Sequence, residues 1–347
     1  MLDPDPRRRG ALRPGPARAT AVVTVLVPAL LLAGCAGGDE GRARSGDPTS
    51  GSGASGAPEW PAAETPLEVD GPAWWADGAL HLGNGTTIPV GDSGREPGDL
   101  VVGGDRVWVR GWTPPADLPS TDRGDDDLGP HDALHLVDAS GEIDDTDVEV
   151  DSLAASPDGR YVAHIDLSSG EEDRYGTPQA ATVVVDTQTG EEVVRSTDGM
   201  GDRSNDDFAA LYPDVELELL GFADGRFWVD AAEGLRAVDP TDGRIVAVDP
   251  EDEPEDAPWR EVVAPAPAGV DPARWLPLQR LADGSVVAVV ADPAGPSGAG
   301  VLATCGAGAD RCTPVPESAG RVVRLPAGSA PDTVVDLAAP RWEAAPR

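Results

Sequence analysis

From residue 65 onward, apolar residues come in short alternating runs, broken every few positions by Gly, Asp or Pro. "DRVWVRGW" (105–112), "RYVAHIDL" (160–167), "TVVVD" (182–186), "RFWVD" (226–230), "RIVAVD" (244–249) and "SVVAVV" (285–290) are rich in Val and aromatic residues. A period of two in β-branched and aromatic side chains predicts strands that bury one side chain in two. Long stretches with apolar residues at i, i+3, i+4 and i+7 are missing, so long amphipathic helices are not expected. The chain reads as all-β, with loops through 112–132 and 250–272, where the strand signal lapses.

The strands recur in two alternating units. One is a strand, a small residue, Asp-Gly and a second strand: "WADGALHL" (75–82), "SPDGRYVA" (156–163), "FADGRFWV" (222–229), "LADGSVVA" (281–288) and, reversed, "GGDRVWV" (103–109). The other is a strand ending in Asp, a short gap and Gly: "LHLVDASGE" (134–142), "VVVDTQTGEE" (183–192) and "LRAVDPTDGRI" (235–245). Asp-Gly suits hairpin turns because both positions tolerate positive φ. One pair of units gives four hairpin-linked strands, the content of one propeller blade. The expected fold is a β-propeller of about five to seven four-stranded blades, with the strands of 320–337 pairing with the N-terminal ones.

"SPDGRYVA" resembles the WD40-like repeat of bacterial TolB-type β-propellers, and "VVVDTQTGEE" resembles the strand-turn-strand that follows it there. The resemblance covers roughly residues 65–340 and implies the same fold. The Asp186 to Gly190 turn, D-x-x-T-G, also resembles the repeat of pyrroloquinoline-quinone dehydrogenases. That family's docking tryptophan is replaced by Val193 and Val194, and by Val246 in the next repeat, and its adjacent cysteine pair is absent. No cofactor is therefore expected.

Ahead of the strands lies a segment of another kind. Arg7, Arg8, Arg9, Arg13 and Arg18 precede the apolar run "ATAVVTVLVPALLLAG" (19–34), which Pro28 interrupts. This is the order of a secretory signal peptide, and the run is short for a membrane span. Leu32-Ala33-Gly34-Cys35 resembles the lipobox of bacterial lipoproteins, which implies lipidation of Cys35 after removal of residues 1–34. The alternative is an ordinary signal peptide with an incidental cysteine. Residues 35–59 are Gly- and Ser-rich and read as a flexible tether, leaving residues 60–347 for the propeller domain. The expected location is the extracytoplasmic face of the cell membrane, held through the Cys35 lipid.

Charge narrows the partners. Sixty-two acidic residues face 26 basic ones, a formal net charge of −36, so a nucleic-acid phosphate backbone would be repelled. Every basic residue other than histidine is arginine, which excludes lysine nucleophiles and Schiff bases. With Cys35 assigned to lipid, Cys305 and Cys312 are expected to form a disulfide, since C-x6-C is neither a redox nor a zinc spacing.

Candidate chemistry is sparse. Asp158, Asp224 and Asp283 recur at one turn and read as turn-capping residues. His131 and His135 would share a strand face and could join Asp132 or Asp127 around a metal, but exposed strand decoration is the expectation, and no metal site is assigned. The acidic stretches 122–132, 142–151 and 249–258 lack calcium-loop spacing and read as solvated loops. No G-x-S-x-G, P-loop, H-E-x-x-H or strand-linked G-x-G-x-x-G occurs, so no catalytic residue is nominated. Low-ranking binding candidates remain. His164 and Asp166 have no counterparts in the sister repeats. Trp74 and Trp75, adjacent in a strand, point to opposite faces; packing between blades is the plain expectation, and an exposed or channel-lining aromatic platform for a sugar or peptide is the alternative. The expected function is a non-catalytic binding or assembly module for another exported or membrane protein or a small ligand. The alternatives are an extracytoplasmic hydrolase or lyase acting on a glycan or lactone, or a quinoprotein-like propeller without cofactor.

Overall fold

Alternating sequence becomes antiparallel sheet almost throughout. The computed structural model describes residues 58–342, apart from 70, 92–95, 114–131, 216, 256, 261, 263, 282, 307–310 and 327–333. Strands β1 (Trp74–Ala76), β2 (Ala79–His81) and β3 (Thr87–Pro89) form a first meander. A seven-stranded sheet follows: β4 (Glu96–Gly103), β5 (Arg106–Thr113), β6 (Asp132–Asp138), β7 (Ile143–Ala155), β8 (Tyr161–Asp166), β9 (Ala181–Asp186) and β10 (Glu191–Ser196). After the helix α1 (Phe208–Asp214) come two four-stranded meanders. They are β11 (Glu218–Ala223), β12 (Arg226–Ala231), β13 (Gly234–Val238) and β14 (Ile245–Ala247), then β15 (Trp275–Arg280), β16 (Val286–Ala291), β17 (Gly300–Cys305) and β18 (Cys312–Pro314). Finally β19 (Val322–Arg324) and β20 (Val334–Asp336) join the first meander, with Trp75 opposite Arg324, in the order β20-β19-β1-β2-β3.

The seven-stranded sheet is two four-stranded halves sharing one strand. The early part of β7 pairs with β6 and its end with β8, with register slips between Ala133 and His135 and between Val150 and Leu153. Such irregularities bend and twist a strand, which lets β7 leave one half and enter the next. Here the expected acidic loop at 142–151 is corrected. Its carboxylates alternate with Val148 and Val150, which are buried, so a strand forms with acids on the wet face.

The Asp-Gly turns divide into two kinds. At Asp77-Gly78 and Asp224-Gly225 both residues have positive φ, from 50° to 81°, as a two-residue hairpin with the favoured twist requires. At 158–159 and 283–284 only the glycine does, and the aspartate accepts hydrogen bonds instead. Asp158 Oδ1 takes Ser156 Oγ at 2.6 Å and the amide of Arg160 at 3.2 Å. Asp283 Oδ1 takes the Ser285 amide at 2.8 Å and its hydroxyl at 2.6 Å.

Apolar clusters fill the spaces between successive sheets. One joins β1–β3 to β4–β6 through Trp75, Leu80, Leu100 and Val107. The next joins β4–β7 to β8 and β9 through Trp108, Leu136, Val162 and Val183. A third joins β8–β10 to β11–β13 through Ile165, Val184, Phe227 and Val229, and another joins β15–β17 to β1, β19 and β20 through Trp74, Val289, Leu302 and Val323. Sheet faces covered on both sides explain why all six residues of β8 are buried.

Candidate functional site

His164 and Asp166 lie on the same face of β8 as Val162, while Tyr161, Ala163 and Ile165 enter the neighbouring core. Asp166 is 0% exposed. Its Oδ1 accepts from the Ser168 amide at 2.8 Å, the Ser168 hydroxyl at 2.9 Å and the Ser169 amide at 3.2 Å. Its Oδ2 accepts from Arg195 Nη1 at 2.8 Å and from the Ser169 hydroxyl. Burial alone would raise the Asp166 pKa, but the donors Ser169, Arg195 and Ser168 together outweigh it and hold the carboxyl below its ordinary value. A carboxylate so occupied is a structural anchor rather than a general base.

The network continues outward. Arg195 also grips Glu192, with Nε at 2.7 Å and Nη2 at 2.8 Å, and Glu192 Oε1 accepts from the indole Nε1 of Trp60 at 3.0 Å. Trp60 stands 5.1 Å from Trp108 and 5.3 Å from His164, the latter in an edge geometry at 63°. His164 is 0% exposed, and neither ring nitrogen has a hydrogen-bond partner. Burial lowers its pKa to about 4, so the ring is neutral at pH 7. Trp60, where the tether was expected to meet the domain, carries no sequence signal of this role.

The other candidates are placed as follows. Trp74 and Trp75 do point to opposite faces, but both faces are covered, and the two are 2% and 6% exposed. Neither side chain is exposed, and each packs between sheets. Trp74 stacks on His81 at 3.9 Å, and the pair borders a cavity of about 440 Å³ between β1–β3 and the β17–β18 hairpin. His135 Nδ1 pairs with Asp145 Oδ1 at 2.6 Å; His131 and Asp127 lie outside the described residues. Within 249–258, Glu253 accepts from Trp259 Nε1 at 2.5 Å and Arg260 Nη2 at 2.8 Å. No group of three His, Cys, Asp or Glu able to hold a metal occurs among the described residues. Cys305 and Cys312 are directly opposed on β17 and β18 and form a disulfide. Cys35 and the lipobox lie outside the described residues.

The larger cavity, about 730 Å³, has a different origin. It is lined by Val101 and Val102 of β4, by Ala155 at the end of β7 with Ser156, Pro157 and Gly159 after it, by Phe222 to Asp224 at the end of β11, and by Gln279 to Leu281 at the end of β15. Val69 and Gly71 before β1 and Pro326 after β19 also line it, with Pro254 and Pro258 from the loop after β14. Its volume is that of a small-molecule or short-peptide site. The lining is mainly apolar; among the described residues its one cationic side chain is Arg280, half-buried and with no side-chain ion pair or hydrogen bond to another described residue. Sequence reading missed Phe222, Gln279 and Arg280. Their signal was positional, since each sits just before the recurrent Asp-Gly turn.

No family model matches the chain, and no curated protein matches it. Among solved structures, TolB from Acinetobacter baumannii is similar with a TM-score of 0.30 and 11% identity, covering 70% of this chain and 51% of that one. The chain spans about half the length of that TolB.

Proposed function

We propose that this protein is an exported, lipid-anchored β-propeller of five blades that acts as a non-catalytic binding or assembly module, receiving its partner at the larger cavity. The observation that carries the reading is convergence. The ends of the first strands β4, β7, β11 and β15, together with the segments flanking β1 and β19, line one cavity. Sheets arranged around an axis bring their first hairpins to one mouth in this way. The pairing of β19 with β1 supports the same reading, because it joins the two ends of the chain in one blade.

The hydrolase or lyase alternative needs paired carboxylates at the cavity. Of the two acidic lining residues among the described residues, Asp283 is occupied by the amide and hydroxyl of Ser285. That leaves Asp224 alone, and nothing specific favours this alternative.

The test places a photo-crosslinking residue at position 280, in the cavity wall, or at Ser297, exposed in the β16–β17 turn at the opposite end of the same sheet. In producing cells, position 280 should yield a discrete adduct that position 297 does not. Equal labelling at both positions, or none at 280, would contradict the reading.

A further inference from the structure

Residues 60–69 cross the ends of the strands without pairing in any sheet. The segment is held by the amide of Ala63 on the Thr187 carbonyl at 2.7 Å, by that of Leu67 on Gly104 at 2.7 Å and by that of Glu64 on Asp105 Oδ2 at 3.0 Å. Its path requires glycine at two points. A Cβ on Gly190 would run into the Trp60 carbonyl, and one on Gly104 would come within 2.9 Å of the Ala63 Cβ; both glycines have positive φ. One end of this strap puts Trp60 over His164, and the other, at Val69, lines the larger cavity.

We propose that the strap is an acid-operated latch: protonation of His164 lifts Trp60 and frees the wall of the cavity that Val69 supplies. The link to the cavity rests on the binding reading above; the latch itself does not.

The argument turns on what surrounds the ring. Across β7 and β9 its neighbours are Leu153 and Val183, and Trp108 of β5 lies beyond Trp60. The charged groups acting on it are Asp166 on its own strand and Glu192 and Arg195 on β10. Asp166 and Glu192 are already engaged by Arg195, and Glu192 is the group that holds the Trp60 indole. A protonated His164 would carry two donors with no acceptor in an apolar enclosure, a state too costly to persist. Strands β7, β8 and β9 are fixed by their ladders. Trp60 belongs to the covering element with the fewest backbone bonds, and local opening starts at such elements. Lifting it admits water to both nitrogens. The sign follows from linkage: a pKa near 4 in the closed state against an ordinary 6.5 favours opening as pH falls below 6.5.

Hydrogen–deuterium exchange of the full chain, corrected for intrinsic rates, reads the latch directly. Amides of residues 60–69 should exchange at least about tenfold faster at pH 4.5 than at pH 7, while those of β8 and β9 keep their protection. His164→Leu should abolish the acid response, and Trp60→Ala should expose the strap at both pH values. Strap exchange indifferent to pH in the wild type would overturn the proposal. So would an acid response that survives in His164→Leu, because it would belong to Glu64, Asp105 or Glu192 instead. The exchange readout involves no ligand, so failure of the cavity as a binding site would leave it unchanged.

Discussion

Asp166 shows how a residue with the look of a catalytic acid can be wholly structural. Its burial would by itself favour the neutral form, and Ser169, Arg195 and Ser168 reverse that. Removing one partner of a buried ion pair strands the other, at about 3 kcal/mol or more. Arg195→Met is therefore expected to lower stability by about that amount at pH 7 in urea denaturation. Asp166 has a depressed pKa when folded, so its contribution is present above the ordinary carboxyl range and lost as pH falls through the folded value. The gap between wild type and Arg195→Met should hold down to the ordinary carboxyl value of 3.8 and narrow only below it. A gap constant with pH would mean that Arg195 acts by packing and not through the Asp166 charge. That His164 and Asp166 are peculiar to one repeat was legible in the sequence. Their separate fates were not, because these depend on Arg195, 29 positions from Asp166, and on Trp60, more than 100 positions away.

Elements were legible where alternation was clean. β8 falls within a stretch that periodicity marks, and β9, β12 and β16 each overrun theirs by one residue. β7 was hidden because a run of acids suppresses the apolar signal, although Val148 and Val150 keep the period of two. The strap was invisible for a different reason. A segment with no ladder and one buried indole has no periodicity at all, and its constraint is written in Gly190 and Gly104 instead. The β17–β18 hairpin was legible through its cysteines. The disulfide closes a short loop with Thr304 and Thr313 paired beside it, and both threonines border the smaller cavity. In the chain-entropy model such a bridge contributes roughly 2.5 kcal/mol. Cys305→Ser/Cys312→Ser should therefore lower the unfolding midpoint and loosen amide protection in β17 and β18 before the other sheets. An unchanged midpoint would show that β16 alone holds the hairpin.

For the whole molecule, the repeat of Asp-Gly units anticipated successive four-stranded meanders, and the pairing of the last strands with the first was anticipated too. The cavity was not, because it is a property of convergence and no single segment carries it. Val102, Phe222 and Arg280 meet there from three strands, with Gly159 from the turn after β7. Charge belongs to this scale as well. At −36 the surface disfavours polyanions, so Arg280 in the cavity wall is a local exception to the field around it. The head, tether and Cys35 anchor make up the binding module that we propose is displayed outside the cell membrane. The most direct measurement of that claim is the location of the adduct formed through position 280. It should fractionate with membranes, be cut by protease added to intact cells, and become soluble, or remain as unprocessed precursor, in Cys35→Ala. An adduct confined to the cytosol, or one that keeps its membrane association and processing in Cys35→Ala, would contradict it.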